Sequence, residues 1–236
     1  MWEAMTTSDF VGKAFVVRVD DATASCDEAT LFDDLQVLSQ RGVHPIVVAP
    51  GPETARTIVR AINRSSNIAV ALSGSDAALL PSAHGGVGHV QSRILHTLTG
   101  AGFIPVIEPT AFDIFDVHDQ SVAADDVAAA VSAACDTARA IFFHPLGGVV
   151  DPETQQTLSE LTPAEVLALA DDERMPEELR SAMRAAAHAV RAGIPAAQIV
   201  DGRVAHALVI ELLTMHHLGT QVTGALLWAG SGDVIR

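Results

Sequence analysis

The chain has a single lysine, Lys13, against thirteen arginines. Arginine serves as well as lysine on a solvated surface, so this scarcity excludes no fold. It bears on any site that needs a compact ammonium group. Only two cysteines occur, Cys26 and Cys135, far apart in sequence. They form neither a metal-type spacing nor a disulfide framework. Cys135 lies in an alanine-rich stretch and reads as a small buried hydrophobe. No apolar run approaches the roughly 18 residues of a membrane span, although hydrophobic residues make up 49% of the chain and the mean hydropathy is +0.30. There is no basic stripe. The net charge is -15 and the pI about 4.8, which argues against a nucleic-acid partner and for a solvated acidic surface. Residues 1–12 contain no basic segment leading into an apolar run, so no signal peptide and a cytoplasmic location are expected.

What is present is a regular alternation. At 236 residues and 24.7 kDa the chain fits one large α/β domain or two tightly joined lobes. Short apolar runs rich in β-branched residues predict strands at 14–19 (AFVVRV), 43–49, 68–72, 103–108, 140–143, 198–201 and 220–223. Helical spacing predicts helices at 28–41, 53–64, 92–99, 123–135, 162–169, 177–191 and 205–214. Short hairpin-like elements fill 79–90. Nearly all-apolar strands between helices are the pattern of a mostly parallel sheet covered on both faces. No repeat, low-complexity tract or linker divides the chain.

Several candidate constellations carry little chemistry. His84 and His89 flank a glycine-rich turn and His216 and His217 are adjacent, but neither pair has the helical spacing of a zinc site. The acidic cluster Asp113, Asp116, Asp119, Asp125 and Asp126 reads as a solvated loop, with Mg²⁺ binding as the other reading. No metal site is expected from these groups. There is no nucleophile elbow and no P-loop lysine motif.

An ordered set of segments is more specific than any one of them. Ile199-Val200-Asp201-Gly202-Arg203-Val204 leads into His206-Ala207-Leu208, Glu211-Leu212-Leu213-Thr214 and Gly219-Thr220. Leu72-Ser73-Gly74-Ser75-Asp76, Val87-Gly88-His89-Val90, residues 102–107 (GFIPVI), Ala124-Asp125 and residues 158–165 (LSELTPAE) precede it. In this order, over residues 13–223, the chain resembles the amino-acid kinase family, and acetylglutamate kinases in particular. The resemblance implies a three-layer αβα sandwich with a mostly parallel central sheet, in which residues 13–112 bind an acyl-amino acid and 113–225 bind a nucleotide. It implies ATP and Mg²⁺ as cofactors, transfer of the γ-phosphate to a carboxylate, and a homodimer. With few residues before the first strand to form the extra helix that links dimers into hexamers in some relatives, a dimer is expected. It also implies site roles: Arg18 touching phosphate, Asp125 organising the site, and Gly51, Gly74, Gly147 and Gly148 lining it.

The same motifs show where this chain departs from the family. Phosphoryl transfer asks for positioning and charge neutralisation, which the family meets with two lysines. Arg18 stands in place of the first, and no base aligns with the second near Ala182. Asp20-Asp21-Ala22 replaces a glycine-rich turn; it reads as a solvated turn, with Mg²⁺ binding as the other reading. Ala49-Pro50-Gly51-Pro52 has lost two N–H donors to proline. A segment with the substrate-gripping arginine is missing between Pro52 and Arg56, and Arg56 and Arg60 read as solvent-facing charges. Ser75 stands where lysine is common, Ser121 and Ala123 replace asparagines, and His144-Pro145 replaces a Thr/Ser-Asp pair. Asp125 is open to two readings, organiser or ordinary helix cap. Scaffold motifs persist while phosphate motifs have eroded, so the expected activity is an impaired or lost kinase reaction. The alternative is a non-catalytic regulatory or arginine-sensing subunit. Its ligand would be an acyl-amino acid, a nucleotide or arginine.

Overall fold

The computed structural model describes residues 10–26, 30–83, 86–113, 115, 118–214 and 218–224. The expectations for residues 1–9, for the helix start at Glu28, and for His84, Asp116, His216 and His217 fall outside these residues.

Eight strands form one sheet in the order β10 (Glu160–Leu161), β12 (Thr220–Thr223), β11 (Ala196–Val200), β9 (Arg139–Phe143), β1 (Ala14–Arg18), β2 (His44–Val48), β6 (Ile104–Ile107) and β3 (Ala69–Leu72). Every pairing is parallel except β11 with β12. Buried strands such as β2 and β6 are apolar on both faces because helices cover both. On one face α4 (Arg93–Gly100), α5 (Ala124–Ala134), α6 (Pro163–Ala170) and α7 (Glu177–Arg191) pack through Leu95, Val127, Val166 and Met183. On the other, α2 (Leu31–Gln40), α3 (Pro52–Asn63) and α8 (Ala207–Leu213) pack through Leu35, Ile58 and Leu208. The result is the expected three-layer sandwich.

Local sequence sets the helix boundaries. Pro52 opens α3 after the extended Gly51, and Ala55, Ile58 and Ile62 form its buried stripe. Thr162 and Glu165 close a reciprocal capping box at the start of α6. Alanine lines the inner face of α7 (Ala182, Ala186, Ala189), where small side chains let it lie close to its neighbours.

Two segments differ from expectation. Asp20-Asp21-Ala22 is not a solvated turn but the start of a short helix, α1 (Asp21–Ala24). Asp20 is its N-cap, 6% exposed, and accepts Thr23 N–H at 2.7 Å. Hydrophobic periodicity could not reveal a one-turn helix held by a cap. Residues expected as an acidic loop instead form a hairpin of β7 (Thr110–Asp113) and β8 (His118–Ser121). The remaining small hairpin, β4 (Ser82–Ala83) with β5 (Gly86–Val87), matches the short elements read from the sequence.

Cys135 is buried behind α5, and burial pushes its thiol up to about 12, whereas Cys26 is half-exposed. A thiolate-specific reagent at pH 8 is therefore expected to titrate one thiol in the native protein and two in denaturant. Equal native reactivity of both thiols would contradict this packing.

Candidate functional site at the carboxyl edge of the sheet

The chain passes from β1 to β2 on one side and later places β9 on the other side of β1. In open α/β sheets the crevice outside the strand carboxyl ends at such a switch point is where ligands bind. Arg18 ends β1 and His144 follows β9 directly at this point. Alternation along β1 puts Arg18 on the face of Val16, the face that α5 covers.

Asp125, in the first turn of α5, meets Arg18 there. Arg18 Nε lies 2.7 Å from Asp125 Oδ1, and Asp125's side chain is only 7% exposed. The two atoms are close without being aligned as a hydrogen bond. Arg18 also donates to the carbonyl of Phe143 at 3.4 Å. Asp125 is not the cap of α5, a position held by Ala123; of the two readings left open by the sequence, its contact is with Arg18. Asp126 beside it is pushed up by burial and by the charge of Asp125.

Three further groups gather here that were not singled out as site residues. His144 is buried, and burial pulls its imidazolium down. The charges of Asp20, Arg18, Asp125 and Glu178 all bear on the ring. Its Nδ1 accepts Leu146 N–H at 3.2 Å, which leaves Nε2 to carry the ring proton. Asp20 gives Oδ1 to Thr23, while its buried Oδ2 has no partner. Asp201, directly after β11, is gripped on both oxygens by Arg203 at 2.9 and 2.8 Å, and Arg203 also reaches the carbonyl of Pro145. The fork ties the β11–α8 turn to the His144-Pro145 turn.

The expected glycines lie on this edge with different duties. Gly51 caps α3 with open space where a side chain would stand. Gly74 N–H donates to Thr110 Oγ1 at 3.1 Å, and a side chain at Gly74 would collide with the Thr110 carbonyl. Gly147 and Gly148 turn with φ of 74° and 154°, and Gly147 N–H returns to the His144 carbonyl. This turn opens onto a cleft of about 300 Å³ with Leu146, Val150, Met175 and Leu179 as apolar walls and Gln155 and Arg174 as polar groups.

Among the described residues no basic side chain stands at Ala182, where the resemblance places a second lysine. Ala182 is buried in the inner face of α7. Arg180 donates to the carbonyls of Met175 and Glu173, and Arg184 to Ala170 and Asp171. On α3, Arg56 pairs with Glu53 in the open. The acidic residues expected as a cluster are separated, with Asp113 and Asp119 on the hairpin and Asp125 and Asp126 on α5. Among the described residues no group of three or more His, Cys, Asp or Glu is placed to hold a metal ion.

At the far end of the β11–α8 turn, His206 holds a left-handed backbone (φ 58°) before α8, with its Nδ1 2.8 Å from Asp34 Oδ1 on α2. Burial raises Asp34 above its ordinary 3.8, against the lowering effects of His206 and Val209 N–H. The proton is thus held more tightly in the folded chain. Its stabilising contribution is complete below 3.8 and is lost as pH rises through the raised folded value. The stability of the native chain relative to Asp34→Asn is expected to fall over that interval, read by urea denaturation at about pH 4 and pH 6. A difference that does not change with pH would remove Asp34 from this account.

The architecture is shared with solved proteins. N-acetylglutamate synthase from Neisseria gonorrhoeae, complexed with coenzyme A and N-acetyl-glutamate, superposes with a TM-score of 0.78 at 18% identity; the match covers 97% of this chain and 64% of the synthase, just under two thirds of it. Isopentenyl phosphate kinase superposes at 0.64 with 13% identity, covering 89% of this chain and all of that one. These neighbours define the amino-acid kinase fold. No protein-family model matches the chain. Among curated proteins, acetylglutamate kinase from Acidiphilium cryptum is 30% identical over 216 residues, covering 83% of this chain and 72% of the relative. That of Synechococcus sp. WH7803 is 30% identical over 265 residues, covering 91% and 90%. The chain belongs to the acetylglutamate kinase family. No helix among the described residues is long and apolar enough to cross a membrane.

Proposed function

We propose that the chain binds a magnesium nucleotide at the β1–β9 switch point and carries the family reaction, ATP-dependent phosphorylation of the N-acetylglutamate carboxylate, at a rate far below that of a relative with both lysines. In that reaction a carboxylate oxygen attacks the γ-phosphorus, the bond to the β-bridging oxygen breaks, and the leaving charge stays on ADP. Charge neutralisation is the protein's main task. One observation carries the reading: Arg18, the only basic side chain brought to this point by β1, is already balanced by Asp125 at 2.7 Å. Little of its charge is left for phosphate.

In this reading residues 13–112 form the acceptor lobe and 113–225 the nucleotide lobe. The residues present fit a nucleotide. The cleft beside Gly147 and Gly148 is apolar enough for a base and adjoins His144 through Leu146. Bound ATP supplies the phosphoryl group and its Mg²⁺ screens the phosphates. Arg18 touches phosphate, Asp125 orients Arg18, Gly147 and Gly148 let the chain turn beneath the nucleotide, and Gly51 and Gly74 line the acceptor side. A cytoplasmic homodimer is part of the proposal, and sedimentation tests it.

A second reading, a regulatory subunit that senses an amino acid, is favoured by the fate of α7: both Arg180 and Arg184 are engaged by the 170–175 segment. A solved N-acetylglutamate synthase of this fold carries L-arginine, which makes arginine the first ligand to try. Calorimetric titration with Mg-ATP, N-acetylglutamate and arginine, followed by hydroxamate trapping of the acyl phosphate, separates the two. Nucleotide binding with slow acyl phosphate formation supports the kinase reading. Arginine binding without nucleotide binding overturns it for the sensor.

A further inference from the structure

Asp20 is the strongest unexplained group on this edge. It is 6% exposed, its Oδ1 is used by the cap of α1, and its Oδ2 is buried without a hydrogen-bond partner. Thr23 Oγ1, in the same capping turn, is a second buried oxygen without a partner. Among the described residues no basic side chain lies within ion-pair distance of Asp20; the two cations nearest this edge, Arg18 and Arg203, are taken by Asp125 and Asp201. A buried carboxylate oxygen with neither donor nor counter-ion is strongly unfavourable unless something else meets it. The helix cap meets only the other oxygen.

We infer that Asp20 Oδ2 is a direct ligand of the divalent cation that accompanies the nucleotide, an inference that rests on the nucleotide reading above. Mg²⁺ does not need a protein cage. It takes one or two carboxylates, keeps several waters, and completes its shell with phosphate oxygens. That explains why a single carboxylate suffices where no cluster of three ligands exists. The placement is right, since Asp20 follows β1 by two residues and its charge bears on both His144 and Arg203. The exchange is also chemically coherent. A turn that loses phosphate-binding N–H groups and gains a carboxylate cannot hold phosphate directly, but can hold it through a dication. In this chain the cation fixed by Asp20 takes over charge neutralisation that a lysine supplies elsewhere in the family.

Asp20→Asn is a clean test because asparagine caps helices as well as aspartate does, so the Thr23 contact and the fold survive while the anionic oxygen is lost. Asp21→Asn, one residue on and exposed, is the control. Mn²⁺ serves as the probe, read by loss of its free electron paramagnetic resonance signal with and without a non-hydrolysable ATP analogue. Binding by the native chain and Asp21→Asn, weakened about tenfold or more in Asp20→Asn, supports the inference. Equal Mn²⁺ affinity in Asp20→Asn, or no Mn²⁺ binding by the native chain in either condition, overturns it. Nucleotide binding is measured separately in EDTA and in Mg²⁺. Nucleotide binding that ignores Asp20 leaves the kinase reading standing and sinks the ligand. Mn²⁺ held by Asp20 with no nucleotide binding does the reverse.

Discussion

Arg18→Ala is expected to cost about 3–5 kcal/mol of folding stability, the range for removing one partner of a buried ion pair. The cost comes from what remains rather than from what is lost. Asp125 is 7% exposed at the start of α5, and without Arg18 its carboxylate has neither water nor a counter-ion. The Phe143 carbonyl loses a donor as well. At roughly 2–4 °C per kcal/mol for a chain of this size, the melting temperature should drop by about 6–20 °C. The double variant Arg18→Met with Asp125→Leu should regain most of the loss, because an apolar pair of similar volume carries no buried charge. Arg18→Lys should fall between, since one ammonium cannot reproduce a planar fork that reaches both Asp125 and a carbonyl. A loss below about 1 kcal/mol for Arg18→Ala would mean that the pair is solvated. Arg18 would then keep its charge for phosphate, and a slow kinase would no longer be expected.

The sandwich was legible because its signals are local and repeated. Apolar strands of four to seven residues and helices with one buried stripe all point to the same layered sheet. The site was legible only in part. Arg18 and Asp125 were marked by their positions in recognisable segments, and the structure brings them together. Asp20 was misread because its neighbours Asp21 and Ala22 resemble an exposed turn, and no periodicity announces a four-residue helix. His144 stood out in the sequence as a departure from the family pair, but neither its burial nor the charges of Asp20, Arg18, Asp125 and Glu178 acting on it are encoded by sequence spacing. The β7–β8 hairpin was hidden by its acidic residues, Asp113 and Asp119, which lie on a polar surface where the alternation of a half-buried strand is weak.

The retained block from Asp201 to Thr220 has a structural explanation independent of any ligand. Asp201 and Arg203 fasten the β11–α8 turn to Pro145, and His206 fastens it to Asp34 on α2. Thr220 Oγ1 accepts Val149 N–H and donates to the Leu158 carbonyl, each at 2.7 Å. These contacts hold the floor beneath the Gly147-Gly148 turn. A chain under pressure to keep this edge of the sheet in place would keep them whether or not it turns over substrate.

Gly219→Ala tests that floor with the second large effect. A Cβ at Gly219 would sit closer than 3.0 Å to two backbone oxygens, those of Ile199 and Gly147. Neither is a flexible side-chain end that can swing aside. The Ile199 oxygen belongs to β11 where it begins to pair with β12 at Thr220, and the Gly147 oxygen belongs to the turn over the cleft. Making room means parting the β11–β12 ladder or pushing the turn outward. Overpacking of this kind costs about 3 kcal/mol or more when the obstacle is backbone, equivalent to a melting temperature lowered by roughly 6–12 °C. Gly100→Ala provides the opposite sign. It ends α4 with nothing within 4 Å of its would-be Cβ, so alanine should stabilise by up to about 1 kcal/mol through helix propensity alone. Because the displaced turn lines the cleft, Gly219→Ala should also weaken nucleotide binding in the folded fraction, whereas Gly100→Ala should leave it unchanged. Equal stability of the two variants would show that β11, β12 and the Gly147 turn do not approach as closely as described, and the cleft would lose the rigid floor on which nucleotide binding is argued.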